Sequence, residues 1–477
     1  MEKFSYAIIG LGKLGASMAA AIASRGFHVI GVDVSQKSVD LVNAGRAPVQ
    51  ETGLGELIRA NRERIRATTS TCEAISGSDV AFVIVPTPSE KNGAFSLTYA
   101  AEAFREIGRA LAKKQGYYTV VLTSTVLPGS TRCGLLPLLE AESGKVVGRD
   151  FGLCYSPEFI ALGSVIRDFL HPDFTLIGEY DTRSGNILKN CYSQILPDEP
   201  PCERMSLENA ELTKIAVNTY ITMKITYANM LASLCEEIPG GDVDVVTKAV
   251  GRDCRIGGKY LTGALGYGGP CFPRDNIAMS FLARTLGSGA ELAETTDAMN
   301  RMIVPRIVKS LADELRPGST AAVLGLAYKP HSHVLDQSQG LFLAHALAQT
   351  GVRVIAYDPL SPAMQTGTYA KAEVNGWLMQ ESLQQCLDEA DMVLITTPDP
   401  AFKVLTVSDF ARLKPRVTVV DFWRILRREL EGRHPRIRYI PVGRSVRDDQ
   451  NQARLQDLWR TATGTPTHAY SLSASSD

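Results

Sequence analysis

The apolar run Tyr6–Gly10 passes directly into Gly10-Leu11-Gly12-Lys13-Leu14-Gly15, and an alanine-rich stretch, Ala16–Ser24, follows it. Arg25-Gly26 closes that stretch, where glycine suits a helix C-terminal cap. A second apolar run, His28–Val32, ends on Asp33. Strand, glycine turn, helix and strand in this order make a βαβ unit, and parallel strands joined this way belong to a doubly wound α/β sheet. The first glycine permits the tight turn, the second lets backbone approach a pyrophosphate, and the third lets helix pack on strand. The helix N-terminus adds positive dipole. Glycines at a plain strand–helix turn would explain the motif alone; strand, helix and acid together favour a dinucleotide site. Asp33 can accept hydrogen bonds from both ribose hydroxyls and would repel a 2′-phosphate, so the expected cofactor is NAD rather than NADP.

Further apolar runs at Val80–Val85, Thr119–Leu122 and Phe174–Ile177 continue the sheet between helix-forming stretches. From Leu207 to Glu237 the chain favours helix without strand texture, until the breaker Ile238-Pro239-Gly240-Gly241. A glycine-rich loop, Gly263–Asp275, follows. The opening pattern then returns. Ala321–Ala327, a helix over about Gln339–Gln349, Gly351, and Val352–Tyr357 ending on Asp358 resemble the first βαβ unit, without its third glycine. The expected architecture is α/β, with two Rossmann-like domains, residues 1–200 and 310–460, joined by a helical segment over 206–300. The small polar residues 463–477 read as a disordered tail.

A chain of 477 residues fits about three domains at roughly 150 residues each. Lys and Arg number 50 against 51 Asp and Glu, so no global basic field invites nucleic acid or an anionic membrane. The longest apolar runs, such as Met392–Ile395, are strand-length, well below the ~18 residues of a spanning helix. The opening MEKFSYAIIGLG enters a strand at once, which leaves no room for a signal peptide. Nine cysteines form no CxxC pair and no Cys/His cluster has metal-ligand spacing. They read as free thiols in a reducing compartment, and a cytoplasmic location is expected, with no metal.

Within this frame a few residues stand out. Cys271 lies in GALGYGGPCFPRD, where glycine and proline give packing no reason for a thiol. Arg255, Lys259 and Arg274 are near in sequence and could lower its pKa. Most cysteines are nonetheless small buried hydrophobes. Lys214 and Asn218 share a helix face at i, i+4, as a plain solvated stripe also would. Glu158 in YSPEFI sits at a strand end, where acid/base residues occur as readily as surface carboxylates. Thr125 in LTSTVLPGSTR is a functional hydroxyl or merely a strand-end one.

Taken in order, these segments resemble the UDP-glucose/GDP-mannose dehydrogenase family from Tyr6 to about Val442. GLGKLG with VDVSQKSVDLVNAGRAPVQETGLGELI is similar to the family's cofactor-binding start. VPTPSEKNGAFSLTYA, STVLPGSTR, SPEF and ELTKIAVNTYITMKITYANMLASLCE follow as its next signatures. GRDCRIGGKYLTGALGYGGPCFPRDNIAM resembles its cysteine loop, and AAVLGLAYKP with VIAYDP its C-terminal nucleotide-sugar domain.

The resemblance implies a four-electron oxidation at C6 of a nucleotide-linked hexose, giving a uronic acid through a cysteine thiohemiacetal and thioester. By the same resemblance Cys271 is the nucleophile, Lys214 stabilises an oxyanion, and Asn218 holds substrate or water. Glu158 is the general acid/base, and Asp275 with Thr125 orders a water. The implied NAD contacts are Gly10, Gly12, Lys13, Leu14, Gly15, Asp33, Thr87 and Thr125. The implied substrate contacts are Phe159, Lys214, Asn218, Arg255, Lys259, Tyr260, Gly268, Lys329 and Arg424. Pairing through the long helix implies a homodimer or a multiple of it.

Three positions depart from the family pattern. Leu162 stands where an acid usually precedes Gly163, Asp336 lies near an expected basic residue, and Asp421-Phe422-Trp423-Arg424 is one residue longer than the family's Asp-x-Arg. They leave the substrate open among UDP-glucose, GDP-mannose and UDP-N-acetylhexosamines. Two other classes compete: a relative that binds the nucleotide sugar without turnover, and a two-electron hydroxyacid dehydrogenase. NADH formed per substrate separates the three at two, none and one.

Overall fold

The computed structural model describes residues 3–160, 163–312, 314–315, 318–360, 376–411 and 415–463. Two compact units emerge: residues 1–219 with 274–294, and residues 220–273 with 295–477. The chain passes between them inside three helices, Leu207–Glu236, Phe272–Thr285 and Glu291–Leu311.

The first unit is built on an eight-stranded sheet. In chain order its strands are β1 Tyr6–Ile9, β2 Val29–Val32, β3 Ile65–Thr68, β4 Val80–Val83, β5 Tyr118–Leu122, β6 Phe151–Tyr155, β7 Thr175–Glu179 and β8 Cys202–Ser206. They lie side by side as β3-β2-β1-β4-β5-β6-β7-β8. All neighbours are parallel except β6 and β7. Every residue of β1, β2, β4, β5 and β6 is buried. Strands covered on both faces need unbroken apolar sequence, which is why these runs were legible. The edge strands β3 (IRAT) and β8 (CERMS) carry charges and half-exposed positions, and no apolar run announces them.

The second unit repeats the theme in six parallel strands: β9 Thr320–Leu324, β10 Arg353–Tyr357, β11 Trp377–Met379, β12 Met392–Ile395, β13 Val417–Asp421 and β14 Ile437–Pro441. Their order is β11-β10-β9-β12-β13-β14. The apparent loss of the third glycine in this copy has a structural resolution. In the first copy, a Cβ on Gly15 would stand 1.9 Å from the carbonyl oxygen of Gly10. In the second, a Cβ on Gly340 would stand 2.3 Å from the carbonyl oxygen of Gly325. The contact between the helix and the strand-end turn is therefore kept by Gly340, and residues 326–338 form a loop between the two glycines. Gly10 and Gly325 share positive φ, +103° and +104°, a turn that L side chains rarely adopt. Asp358 also parallels Asp33, accepting from the amides of Leu326 and Ala327 at 2.8 and 3.0 Å.

Most of the anticipated strands and helices stand within a few residues of their expected ends. The segment Leu207–Glu237 is one helix, Leu207–Glu236. Leu162 and residues 464–477 of the expected tail lie outside the described residues.

Candidate active site

In the first unit, β1 delivers Gly10 to the start of helix Lys13–Ser24, with Gly12 at its N-cap. A Cβ on Gly12 would meet nothing within 4 Å. Protein packing therefore does not require glycine there, whereas a pyrophosphate approaching the backbone would. Asp33, half-buried at the end of β2, accepts from the Leu11 amide through Oδ2 and the Ser35 amide through Oδ1, each at 2.8 Å. The carboxylate thus fixes the glycine turn and keeps lone pairs for ribose hydroxyls. Gly10 and Gly15 pack together at the turn, Asp33 is tied to it through Leu11, and Gly12 leaves its backbone open, so the residues fit NAD.

Thr87 is buried, and its hydroxyl donates to the Thr125 carbonyl at 2.7 Å. That bond ties the VPTPSEK and STVLPGSTR segments together. Arg274 donates to the Thr87 carbonyl at 3.2 Å, and its guanidinium lies 4.5 Å from the Phe95 ring centroid.

Nearby in the same unit, helix Leu207–Glu236 presents Lys214 and Asn218. The Lys214 Nζ donates to the Glu158 carbonyl oxygen at 2.5 Å and lies 4.5 Å from the Phe159 ring centroid. Burial pushes the Glu158 carboxyl up to about 8, with the Lys214 charge pulling the other way. A cavity of about 10 Å³, lined in part by Ser156, Glu158 and Phe174, has the size that admits one water. Asn218 Nδ2 donates to Asp275 Oδ2 at 2.6 Å. Asp275 is 1% exposed, and burial raises its pKa, while Arg274, Asn218 and Lys214 oppose that. Its Oδ1 has no hydrogen-bond partner and lies 3.5 Å from Arg274 Nε. A buried, unfilled acceptor of this kind suits a bound water or hydroxyl. Glu158, Phe159, Lys214, Asn218 and Asp275 are thus linked by contacts that their separation in sequence conceals.

Sequence reasoning missed Glu211, one turn ahead of Lys214. It is fully buried and accepts from the amides of Gly129 and Thr131 at 2.6 and 2.8 Å. It clamps the PGST turn beyond Thr125 to the helix that carries Lys214. An acid one turn ahead of Lys214, on the face that Lys214 and Asn218 share, was the available signal.

In the second unit Cys271 is an exposed free thiol immediately before helix Phe272–Thr285. Amides and dipole at a helix N-terminus favour a thiolate. The expected cationic neighbours are placed differently. Arg274 is occupied with Thr87, Phe95 and Asp275, while Arg255 pairs with Asp253 at 2.6 Å on an exposed loop. Lys259 and Tyr260 are exposed on that loop, and Lys329 is half-buried with its Nζ 5.6 Å from the Tyr328 ring. The glycine loop itself is tightly held. Asn300 Oδ1 accepts from the Tyr267 amide at 2.9 Å, and Asn229 Oδ1 from the Ala264 amide at 2.7 Å. A Cβ on Gly268 would stand 2.4 Å from the Gln337 carbonyl oxygen, and the Gly269 amide donates to the Asp336 carbonyl at 2.8 Å.

Arg424, expected to contact substrate, is turned into the protein interior here. Its side chain is 1% exposed and forms a bidentate pair with Asp244, both bonds at 2.8 Å. Its remaining donors reach the carbonyls of Thr262, Gly263, Phe422 and Val442. All five N–H groups are committed, so in this structure the guanidinium braces the cysteine loop from behind.

Fold and site together define an NAD-binding dehydrogenase with a thiol-bearing loop. Residues 5–196 match the NAD binding domain of the UDP-glucose/GDP-mannose dehydrogenase family, 208–302 its central domain and 322–428 its UDP binding domain. The chain belongs to this family. It is 34% identical to a GDP-mannose 6-dehydrogenase of Pseudomonas putida, over 84% of this chain and 92% of the relative. It is 33% identical to a UDP-glucose 6-dehydrogenase of Haloferax volcanii, over 88% of this chain and 97% of the relative. A UDP-glucose dehydrogenase structure from Pyrobaculum islandicum superposes with a TM-score of 0.81 at 30% identity, covering 93% of this chain and 98% of that one.

Proposed function

We propose that the chain oxidises C6 of a nucleotide-linked hexose from primary alcohol to carboxylate, with Cys271 carrying the second half of the reaction. The observation that carries this reading is the linked set Glu158, Lys214, Asn218 and Asp275 in the NAD-binding unit, with Lys214 and Asp275 buried and the exposed thiol at the head of the helix that bears Asp275. NAD, when bound, would supply the electron acceptor, each of two molecules taking one hydride from C6. Glu158, ionised, takes the proton of the C6 hydroxyl, directly or through the water its cavity admits. The Lys214 ammonium stabilises negative charge on the C6 oxygen. The Cys271 thiolate forms a bond to the C6 aldehyde carbon, giving a thiohemiacetal, and remains bonded to that carbon as a thioester after the second oxidation. Asp275, held by Asn218, orients water onto the thioester carbonyl, and C–S cleavage returns the thiolate and releases the uronate. The balance is one alcohol, one water and two NAD consumed, with one carboxylate, two NADH and three protons formed.

The test is a panel of nucleotide sugars, including UDP-glucose, GDP-mannose and UDP-N-acetylhexosamines, with NADH counted per substrate. Two NADH from one of them supports the proposal; one or none from every sugar refutes it.

A homodimer, or a multiple of it, and a cytoplasmic location belong to the same reading. Leu212, Tyr220, Tyr227 and Leu234 are 42–54% exposed at near-heptad spacing along helix Leu207–Glu236. Ile221, Met223, Ile225 and Met230 on the same helix are half-buried within the chain, and the outward stripe is what a second copy would cover. Light scattering at micromolar concentration should give at least twice the chain mass; a monomer would count against the stripe. No described helix is long and apolar enough to cross a membrane.

A further inference from the structure

The second unit contains a cavity of about 560 Å³ between the C-terminal half of helix Leu207–Glu236, helix Glu291–Leu311, the β13–β14 side of the sheet and the last helix, Asp448–Thr463. That volume falls in the range of small-molecule sites. None of its lining residues belongs to the set assigned above to NAD, thiol or sugar chemistry.

Its walls have two characters. Met230, Met299, Ile303, Ile307, Phe422 and Ile440 supply an apolar surface. Cations outnumber acids around it, and the acids are already engaged. Glu314 pairs with Arg438 at 2.6 Å, Glu237 with Arg454, and Glu236 accepts from the Gly443 amide at 2.7 Å. Arg306, Lys309 and Arg447 also line the cavity, are exposed, and form no salt bridge among the described residues, although the Arg306 charge acts on the Glu236 carboxyl. A second, independent feature lies at the buried end. Thr226 is 6% exposed, lines the cavity, and its Oγ1 has no hydrogen-bond partner. A buried hydroxyl without a partner is costly, and none of the described residues hydrogen-bonds to it.

We propose that this cavity binds a phosphorylated small molecule of nucleotide size, its phosphate held by Arg306, Lys309 and Arg447 and its body lying on the apolar wall within reach of the Thr226 hydroxyl. Three exposed cations at the mouth suit a polyanionic group, since arginine matches phosphate oxygens bidentately. An apolar wall beside an orphaned hydroxyl suits a planar or weakly polar body that offers a hydrogen-bonding atom. Inorganic phosphate would satisfy only the mouth. The inference stands independently of the reaction proposed above.

The test uses the full chain with UMP, GMP and inorganic phosphate in titration calorimetry, and with azido derivatives of both nucleotides for photolabelling and peptide mapping. The expected label falls on peptides spanning residues 226–237, 299–311 or 438–454. An Arg306→Gln/Lys309→Gln chain, altered only at exposed positions, should bind the labelling nucleotide at least tenfold more weakly at this site. Thr226→Val, which keeps shape and removes the hydroxyl, should weaken nucleotide severalfold and leave inorganic phosphate unchanged. Labelling confined to other segments, equal binding of inorganic phosphate and nucleotide, or unaltered affinity in both variants would overturn the proposal.

Discussion

Asp33→Asn separates two functions that one carboxylate performs. The side chain accepts two backbone amides, Leu11 N and Ser35 N, one on each oxygen at 2.8 Å. An asparagine has a single acceptor oxygen, so one of those amides would face an NH₂ group instead. Leaving a part-buried donor unsatisfied costs about 1–3 kcal/mol. At ~1.4 kcal/mol per tenfold, that loosens the glycine turn enough to weaken either cofactor by roughly 5- to 150-fold. The second effect is selective. The native carboxylate should disfavour a 2′-phosphate by a few kcal/mol, on the order of 100-fold in preference for NAD over NADP, and asparagine removes that repulsion. The KM for NAD should therefore rise roughly 5- to 150-fold, while the ratio of kcat/KM for NAD over NADP falls on the order of 100-fold. Initial rates with both cofactors at saturating sugar nucleotide measure the two effects in one experiment. An unchanged KM for NAD, or equal parameters for the two cofactors in the native chain, would refute the assignment of Asp33 to both roles.

Two further expectations follow from the thiol and the buried acid. Cys271→Ser should retain binding of NAD and sugar nucleotide but lose steady uronate formation, because a serine hydroxyl stays protonated near neutral pH. Cys235→Ser, at a buried position outside the glycine loop, should keep turnover; two NADH per substrate from the Cys271 variant would remove the thiol from the mechanism. For Glu158, kcat/KM should rise with pH through about 8, the value to which burial raises it, and Glu158→Gln should abolish that limb. The same carboxyl carries a stability signature. Its folded value is raised from 4.5 to about 8, so the native state holds the proton that the unfolded chain releases, and its stabilisation is lost as pH rises across that window. Thermal melting of the Gln variant should lack that decline; matching profiles would show that Glu158 is not buried as placed here.

What was legible in the sequence follows from what each feature needs. The central strands could be read because burial on both faces demands unbroken apolar runs, as in β1, β5 and β12. The glycine turn could be read because backbone geometry admits few residues at Gly10. The edge strands β3 and β8 could not, since their half-exposed residues satisfy no strict pattern. The displaced glycine of the second copy stayed hidden for a different reason. Gly340 performs the packing of Gly15 only once residues 326–338 are looped out, and no local spacing reveals a loop. At the site, Lys214 and Asn218 were visible as a helix face, but the bonds joining them to Glu158 and Asp275 reach 56 and 57 residues along the chain. The commitment of Arg424 to Asp244 was invisible for the same reason.

That commitment changes what the departures from the family pattern mean. Leu162 is outside the described residues, so the weight falls on Asp336 and on the lengthened Asp421–Arg424 segment. Asp336 meets the cysteine loop through its backbone carbonyl, which accepts from Gly269, and neighbouring Gln337 packs its carbonyl against Gly268. Any residue supplies a carbonyl, so an acid in place of a base at this position need not disturb the loop. Arg424 adopts φ +56°, with Trp423 Nε1 donating to the Thr396 carbonyl at 2.8 Å and Asp421 accepting from the Trp423 and Leu426 amides. The extra residue is absorbed in that turn, and the guanidinium is delivered inward to the carbonyls of Thr262 and Gly263. Both departures thus fall on the scaffold that holds Gly263–Cys271 in place, and neither presents a side chain fitted to distinguish one sugar hydroxyl from another. Under the proposed function, discrimination is assigned to groups that project outward, Arg255, Lys259 and Tyr260 on their exposed loop and the half-buried Lys329. Of these, Arg255 is held only by a solvent-exposed pair with Asp253, the kind of contact that a substrate phosphate can displace at little cost.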